Sequence, residues 1–138
     1  LYMASRSEIV KKVILPALKM GKVVVCDRFL DATFAYQGFG CGMDRNVIKV
    51  LGDFVTSGRP PDLTILLDMD IEKGLKRSGR NDRIEKRSID YHRRVRRGYL
   101  TLARQEPGRI KVVRVDGDLN QVQEKVRRIV MGNLGRWE

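Results

Sequence analysis

The chain predicts an α/β fold in which a parallel sheet is flanked by helices in three layers. Three features predict it. Short apolar runs alternate with segments of helical period. The runs are continuous rather than alternating, as in strands covered on both faces. Charged residues follow each run directly, where open parallel sheets hold their ligands.

Residues 6–20 carry Ile9, Val13, Ile14, Ala17 and Leu18 at helical spacing. Pro16 is expected to kink or shorten this helix, and Gly21 to stop it. Val23-Val24-Val25-Cys26 is β-branched and apolar, and reads as a buried first strand ending at Asp27-Arg28. Thr33, Phe34 and Tyr36 fit the packed face of a short helix, and 38–43 read as a flexible loop. Asp44 is an N-cap for a helix whose inner face is Val47, Ile48, Leu51, Phe54 and Val55, with Gly58 at its end. Pro60-Pro61 breaks the chain before a second strand over 63–67, which ends at Asp68. A short helix spans 71–77, and a polar loop covers 78–82. A long helix over 88–106 buries Val95, Tyr99, Leu102 and Ala103. Ile110 to Val115 is a third strand. Asp118 and Gln121 form a capping-box-like start to a last helix, with Leu119, Val122, Val126, Ile129 and Val130 inside.

The 138 residues suit a single domain over 1–138. With 42% hydrophobic and 33% charged residues, the composition is that of a globular chain rather than a disordered one. No window approaches the apolar length of a membrane span, and no signal-peptide pattern opens the chain. Two cysteines, Cys26 and Cys41, are too few for a disulfide framework, and one histidine argues against zinc. The net charge of +11 calls for an anionic partner. Three strands make a small sheet, and Leu1 falls inside a structural element. A further strand and helix are therefore expected before it.

Chemistry is expected at the strand ends. Asp27-Arg28 can hold metal-bound water and phosphate, or be an ordinary ion pair at a sheet edge. Asp68-Met69-Asp70 and Asp116-Gly117-Asp118 occupy equivalent positions. Residues 72–97 hold eleven Lys/Arg against four acids. Arg77, Arg80 and Arg83, near Gly79, could close over a polyphosphate. Arg93, Arg94, Arg96 and Arg97 read as a solvated helix face. Tyr2 and Arg6, spaced i, i+4, share a helix face and could meet a nucleobase, although core packing is the commoner fate of such a tyrosine.

These pieces, in order, resemble bacterial thymidylate kinases, a family of P-loop nucleoside monophosphate kinases. The matching segments are Leu-Tyr-Met-Ala-Ser-Arg (1–6), Asp-Arg-Phe (27–29), Ala-Tyr-Gln-Gly (35–38), Pro-Asp-Leu-Thr (61–64), Leu-Leu-Asp (66–68), Asp-Arg-Ile-Glu (82–85) and Arg-Gly-Tyr-Leu (97–100). The resemblance implies transfer of the ATP γ-phosphoryl to thymidine monophosphate with Mg²⁺, in a cytoplasmic homodimer that binds neither nucleic acid nor membrane. It implies that Tyr2 stacks on or packs against thymine, Arg6 hydrogen-bonds the base and Thr33 borders the pyrimidine. It implies Tyr36 under the deoxyribose and Gln37 beside the sugar or base. Arg28 would grip the acceptor phosphate, with Asp27 near the metal. Residues 76–87 would form the lid, with Arg77 reaching ATP and Arg80 or Arg83 the transferring phosphoryl. Asp116, Gly117 and Asp118 would border the adenine.

The family's Gly-x-x-x-x-Gly-Lys-[Ser/Thr] loop is not among these residues. It is expected to precede Leu1, and the 138 residues alone are expected not to turn over ATP. The alternatives are a binding-only nucleotide module, a deoxynucleoside kinase of other specificity, and a nucleic-acid-binding module.

Overall fold

In the computed structural model, residues 2–78 and 83–134 are described, and they divide into two units, Leu1–Pro60 and Pro61–Glu138.

The first unit is helical. Helix α1 (Tyr2–Ile9) runs into a π turn (Val10–Ile14) and then α2 (Leu15–Lys19). Pro16 does not end the helix. It sits in the first turn of α2, directly after the π turn, where its missing N–H costs least. Gly21 does end it: at φ 70°, it lets Gly21 N donate to Leu18 O (3.0 Å) and Lys22 N to Ala17 O (3.1 Å). The expected inner face differs. Val10 is buried, whereas Ile9, Val13 and Leu18 are exposed, because the wider π turn breaks the 3.6-residue phase.

The expected strand over 23–26 does not form. An extended run becomes a strand only when a neighbour takes its N–H and C=O groups. No described strand does so, and Val25 is 92% exposed. Next come α3 (Leu30–Thr33) and a π segment (Phe34–Gly40). The latter claims part of the loop expected over 38–43. Gly38 is buried, and a Cβ there would lie 3.2 Å from Arg45 Cγ and 3.3 Å from Ile48 Cδ1, so glycine lets the backbone come close.

Helix α4 (Arg45–Thr56) starts as expected, with Asp44 Oδ1 accepting from Asn46 N at 2.8 Å. Its left-handed end residue is Ser57 (φ 56°), one before Gly58 (φ 69°). Ile48 and Val55 are buried, but Val47, Leu51 and Phe54 of the expected inner face are exposed, as is Val50. Gly52 instead faces inward, and a Cβ there would lie 2.7 Å from Leu30 Cδ2.

The second unit holds the sheet. Strands β1 (Thr64–Asp68) and β2 (Ile110–Arg114) pair in parallel, Thr64 against Ile110 and Asp68 against Arg114. The described sheet thus has two strands rather than three. Helices α5 (Ile71–Ser78) and α6 (Ile89–Gln105) connect them, and α7 (Leu119–Leu134) follows. Ser88 Oγ caps α6 by accepting from Tyr91 N at 3.3 Å. Its buried face is Tyr91, Val95, Gly98, Leu102 and Ala103. Both α6 and α7 pack on β2. Asp118 starts α7 as expected, Asn120 N donating to its Oδ2 at 3.2 Å, but Leu119 is exposed and Val122 carries the packing.

Candidate active site

In the first unit, α1 delivers Arg6 to the turn that precedes α3. Arg6 Nη1 donates to Thr33 Oγ1 (2.9 Å) and Nη2 to the Phe29 carbonyl (3.0 Å), and its guanidinium lies 5.3 Å from the Phe29 ring centre. Nη1 also meets Met3 Sδ at 3.4 Å. The side chain is thereby fixed on three sides. Burial lowers its pKa, opposed by nearby Cys26. Thr33 is buried, so its hydroxyl is committed to Arg6 rather than to water. The resemblance puts both residues at the base; the structure also ties them to each other. In the sequence, Phe29 stands only as part of the Asp-Arg-Phe segment, with no role of its own. Its signal is its position beside Asp27-Arg28, since an aromatic ring there offers a platform to any nearby guanidinium.

Tyr2 is 69% exposed on α1, so it is not a core residue. Asp27 and Arg28 are exposed in the bend after the 22–26 segment. Arg28 is left-handed at φ 61°, a conformation costing a non-glycine residue roughly 1 kcal/mol. Its guanidinium lies 5.5 Å from the Tyr36 ring centre. Tyr36 and Gln37 are half-buried in the π segment, an irregularity that recurs at functional sites. The unit therefore gathers Arg6, Thr33 and Phe29 in one cluster, and Arg28 with Tyr36 in another.

In the second unit, Asp68 ends β1 and is only 5% exposed. Arg96 of α6 grips it with two hydrogen bonds, Nε to Oδ1 at 2.6 Å and Nη2 to Oδ2 at 2.9 Å. Arg114, ending β2, lies 3.6 Å from Asp68 Oδ2 and reaches Asp116 at 3.4 Å. The hydrogen bonds from Arg96 hold the Asp68 carboxyl below its usual range, against the burial that raises it. The same bonds raise the Arg96 pKa. Arg96 is thus not part of a solvated face. The α6 period does not reveal this, because the partner lies 28 residues earlier at a strand end.

Arg77, in the last turn of α5, and Arg83 are exposed. Arg80, with Gly79, lies outside the described residues. Asp116, Gly117 and Asp118 form an exposed turn after β2. A Cβ on Gly117 would lie 2.8 Å from Gln121 Oε1. Among the described residues, no three His, Cys, Asp or Glu are grouped to hold a metal, and no helix is long and apolar enough to cross a membrane.

The model of the family described as thymidylate kinase matches residues 1–126. A thymidylate kinase of Trichormus variabilis is 44% identical over 99% of this chain and 67% of its own length. One of Trichodesmium erythraeum is 42% identical over the whole of this chain and 62% of its own. The crystal structure of thymidylate kinase from Ehrlichia chaffeensis superposes with a TM-score of 0.73 at 34% identity, covering 94% of this chain and 60% of that one. This chain therefore spans about three-fifths to two-thirds of the length of these relatives, and shares their α/β fold with a parallel sheet. Over that span, it belongs to the thymidylate kinase family.

Proposed function

We propose that the protein transfers the γ-phosphoryl of ATP to thymidine monophosphate. An acceptor phosphate oxygen attacks the γ-phosphorus, the bond to the β-phosphate oxygen breaks, and ADP leaves. The observation that carries this reading is the Arg6 cluster beside the left-handed Arg28, in a chain of this family. A guanidinium held on Thr33 and Phe29 is preorganised, so a base meeting it loses little entropy to ordering. Tyr2, exposed one turn away on α1, would supply the ring for stacking. Tyr36 and Gln37 would bound the sugar.

Arg28 would take the acceptor phosphate. Its exposed guanidinium and fixed backbone suit a group that must meet charge in line with the attack. Arg77, Arg80 and Arg83, in the 76–87 lid, would neutralise the donor's phosphates and exclude water. Asp116, Gly117 and Asp118 would border the adenine. Magnesium bound with a nucleotide takes one or two carboxylates, with phosphates and water as its other ligands. A lone exposed Asp27 fits such a site through those waters. The ion supplies neutralisation of phosphate charge.

The reading includes a cytoplasmic homodimer without nucleic-acid or membrane partners. The exposed Val47, Val50, Leu51 and Phe54, spaced along one face of α4, support self-association. Phosphorylation of thymidine, uridine and cytidine monophosphates by the full chain tests the activity through coupled ADP release. Preference for the thymine nucleotide is expected; equal rates for all three overturn the assignment.

A further inference from the structure

The lid expected over 76–87 has two roots, β1 with α5 on one side and α6 on the other. Asp68 is the last residue of β1, and two residues later Asp70 Oδ1 accepts from Glu72 N (3.1 Å) and Lys73 N (3.2 Å) to start α5. Beyond the lid, α6 carries Arg96, whose guanidinium returns to the Asp68 carboxylate with both hydrogen bonds made. The two roots are joined by one bidentate pair. Arg114 extends the chain of charges to Asp116, in the turn expected at the adenine. One buried carboxylate at the end of β1 thus meets Arg96 of α6 and Arg114 at the end of β2, and through Arg114 it is linked to Asp116.

We propose that Asp68 is a positioning residue for the ATP side of the site, holding the lid's roots and the 116–118 turn in register through Arg96 and Arg114. It touches no substrate. The inference rests on the kinase reading, and it assigns a role to an ion pair that a merely packed strand end does not require. A neutral side chain would pack in nearly the same volume. A carboxylate is needed where two guanidinium groups from different elements must converge.

The test compares wild type, Asp68→Asn and Arg96→Lys in the full chain. Steady-state kinetics give kcat and both KM values, mant-ATP fluorescence gives donor affinity, and thermal melts report folding. Asp68→Asn keeps the size and loses the charge; Arg96→Lys keeps the charge and loses the fork. The expected result is about tenfold weaker mant-ATP binding and a matching rise in KM for ATP. The KM for thymidine monophosphate should be unchanged. Unchanged donor binding in either folded variant overturns the proposal. Equal losses on both substrates also overturn it, since they indicate general loosening. If wild type binds mant-ATP but phosphorylates no thymidine monophosphate, the kinase reading fails, while the two variants still test Asp68 by donor binding. If Asp68→Asn does not fold, Arg96→Lys decides.

Discussion

Arg28 shows how one residue can trade stability for chemistry. Its φ of 61° is strained for any side chain, yet this conformation sets its guanidinium 5.5 Å from the Tyr36 ring centre. Arg28→Gly should therefore raise stability by about 0.5–1 kcal/mol, the relieved strain less the added unfolded-state entropy. The same change should lower kcat/KM at least a hundredfold. Denaturant unfolding and initial rates on one preparation check both signs. At Thr33, replacement by valine removes the acceptor for Arg6 Nη1 at nearly constant volume. A cost of about 1–2 kcal/mol and a several-fold loss of thymidine monophosphate affinity are expected, read by urea titration and calorimetry. The Asp-Arg pair and the i, i+4 spacing of Tyr2 and Arg6 were legible because each is local. The Arg6 to Thr33 bond spans 27 residues, and no spacing rule reaches that far.

At the level of elements, the helix ends were the most legible parts. Asp44 and Gly21 act where capping chemistry puts them, since a cap depends on only the next three or four residues, and Ser88, read only as the start of the long helix, proves to be its cap. Ser57 was the exception. Gly58 attracted the C-terminal assignment, yet Ser57 also takes a left-handed φ. Ser57→Gly should stabilise the protein by roughly 0.5–1 kcal/mol, seen as a higher urea midpoint with an unchanged slope. Helix faces were less legible. Val47, Leu51 and Phe54 have the right period but lie on the exposed side of α4, while Gly52, which no hydrophobicity rule selects, is inward. The run Val23-Val24-Val25 failed for a different reason: strand propensity fixes a backbone preference, but only a paired neighbour makes a sheet.

For the whole molecule, charge sets the response to acid. The folded pKa of Asp68 is depressed by Arg96. The stability it adds is complete above the unfolded aspartate value of about 3.9 and is lost as pH falls through the lower folded value. Melting temperature should therefore decline below about pH 4, and the decline should be shallower in Asp68→Asn. Because Arg96 keeps a third of its side chain in water, the pair is worth roughly 1.5–3 kcal/mol at most. The parallel pairing of β1 with β2 has a kinetic consequence as well. Thr64 meets Ile110 across 46 residues of chain, so the strands can join only after that whole connection has closed. Helix α6, capped at Ser88 and made of near contacts, can form first and shorten the search. Closure entropy grows only as the logarithm of length, so ten more residues in the connection would cost about 0.2 kcal/mol. The segment between the strands is thus nearly free to change length, while the strand ends it connects must stay in register.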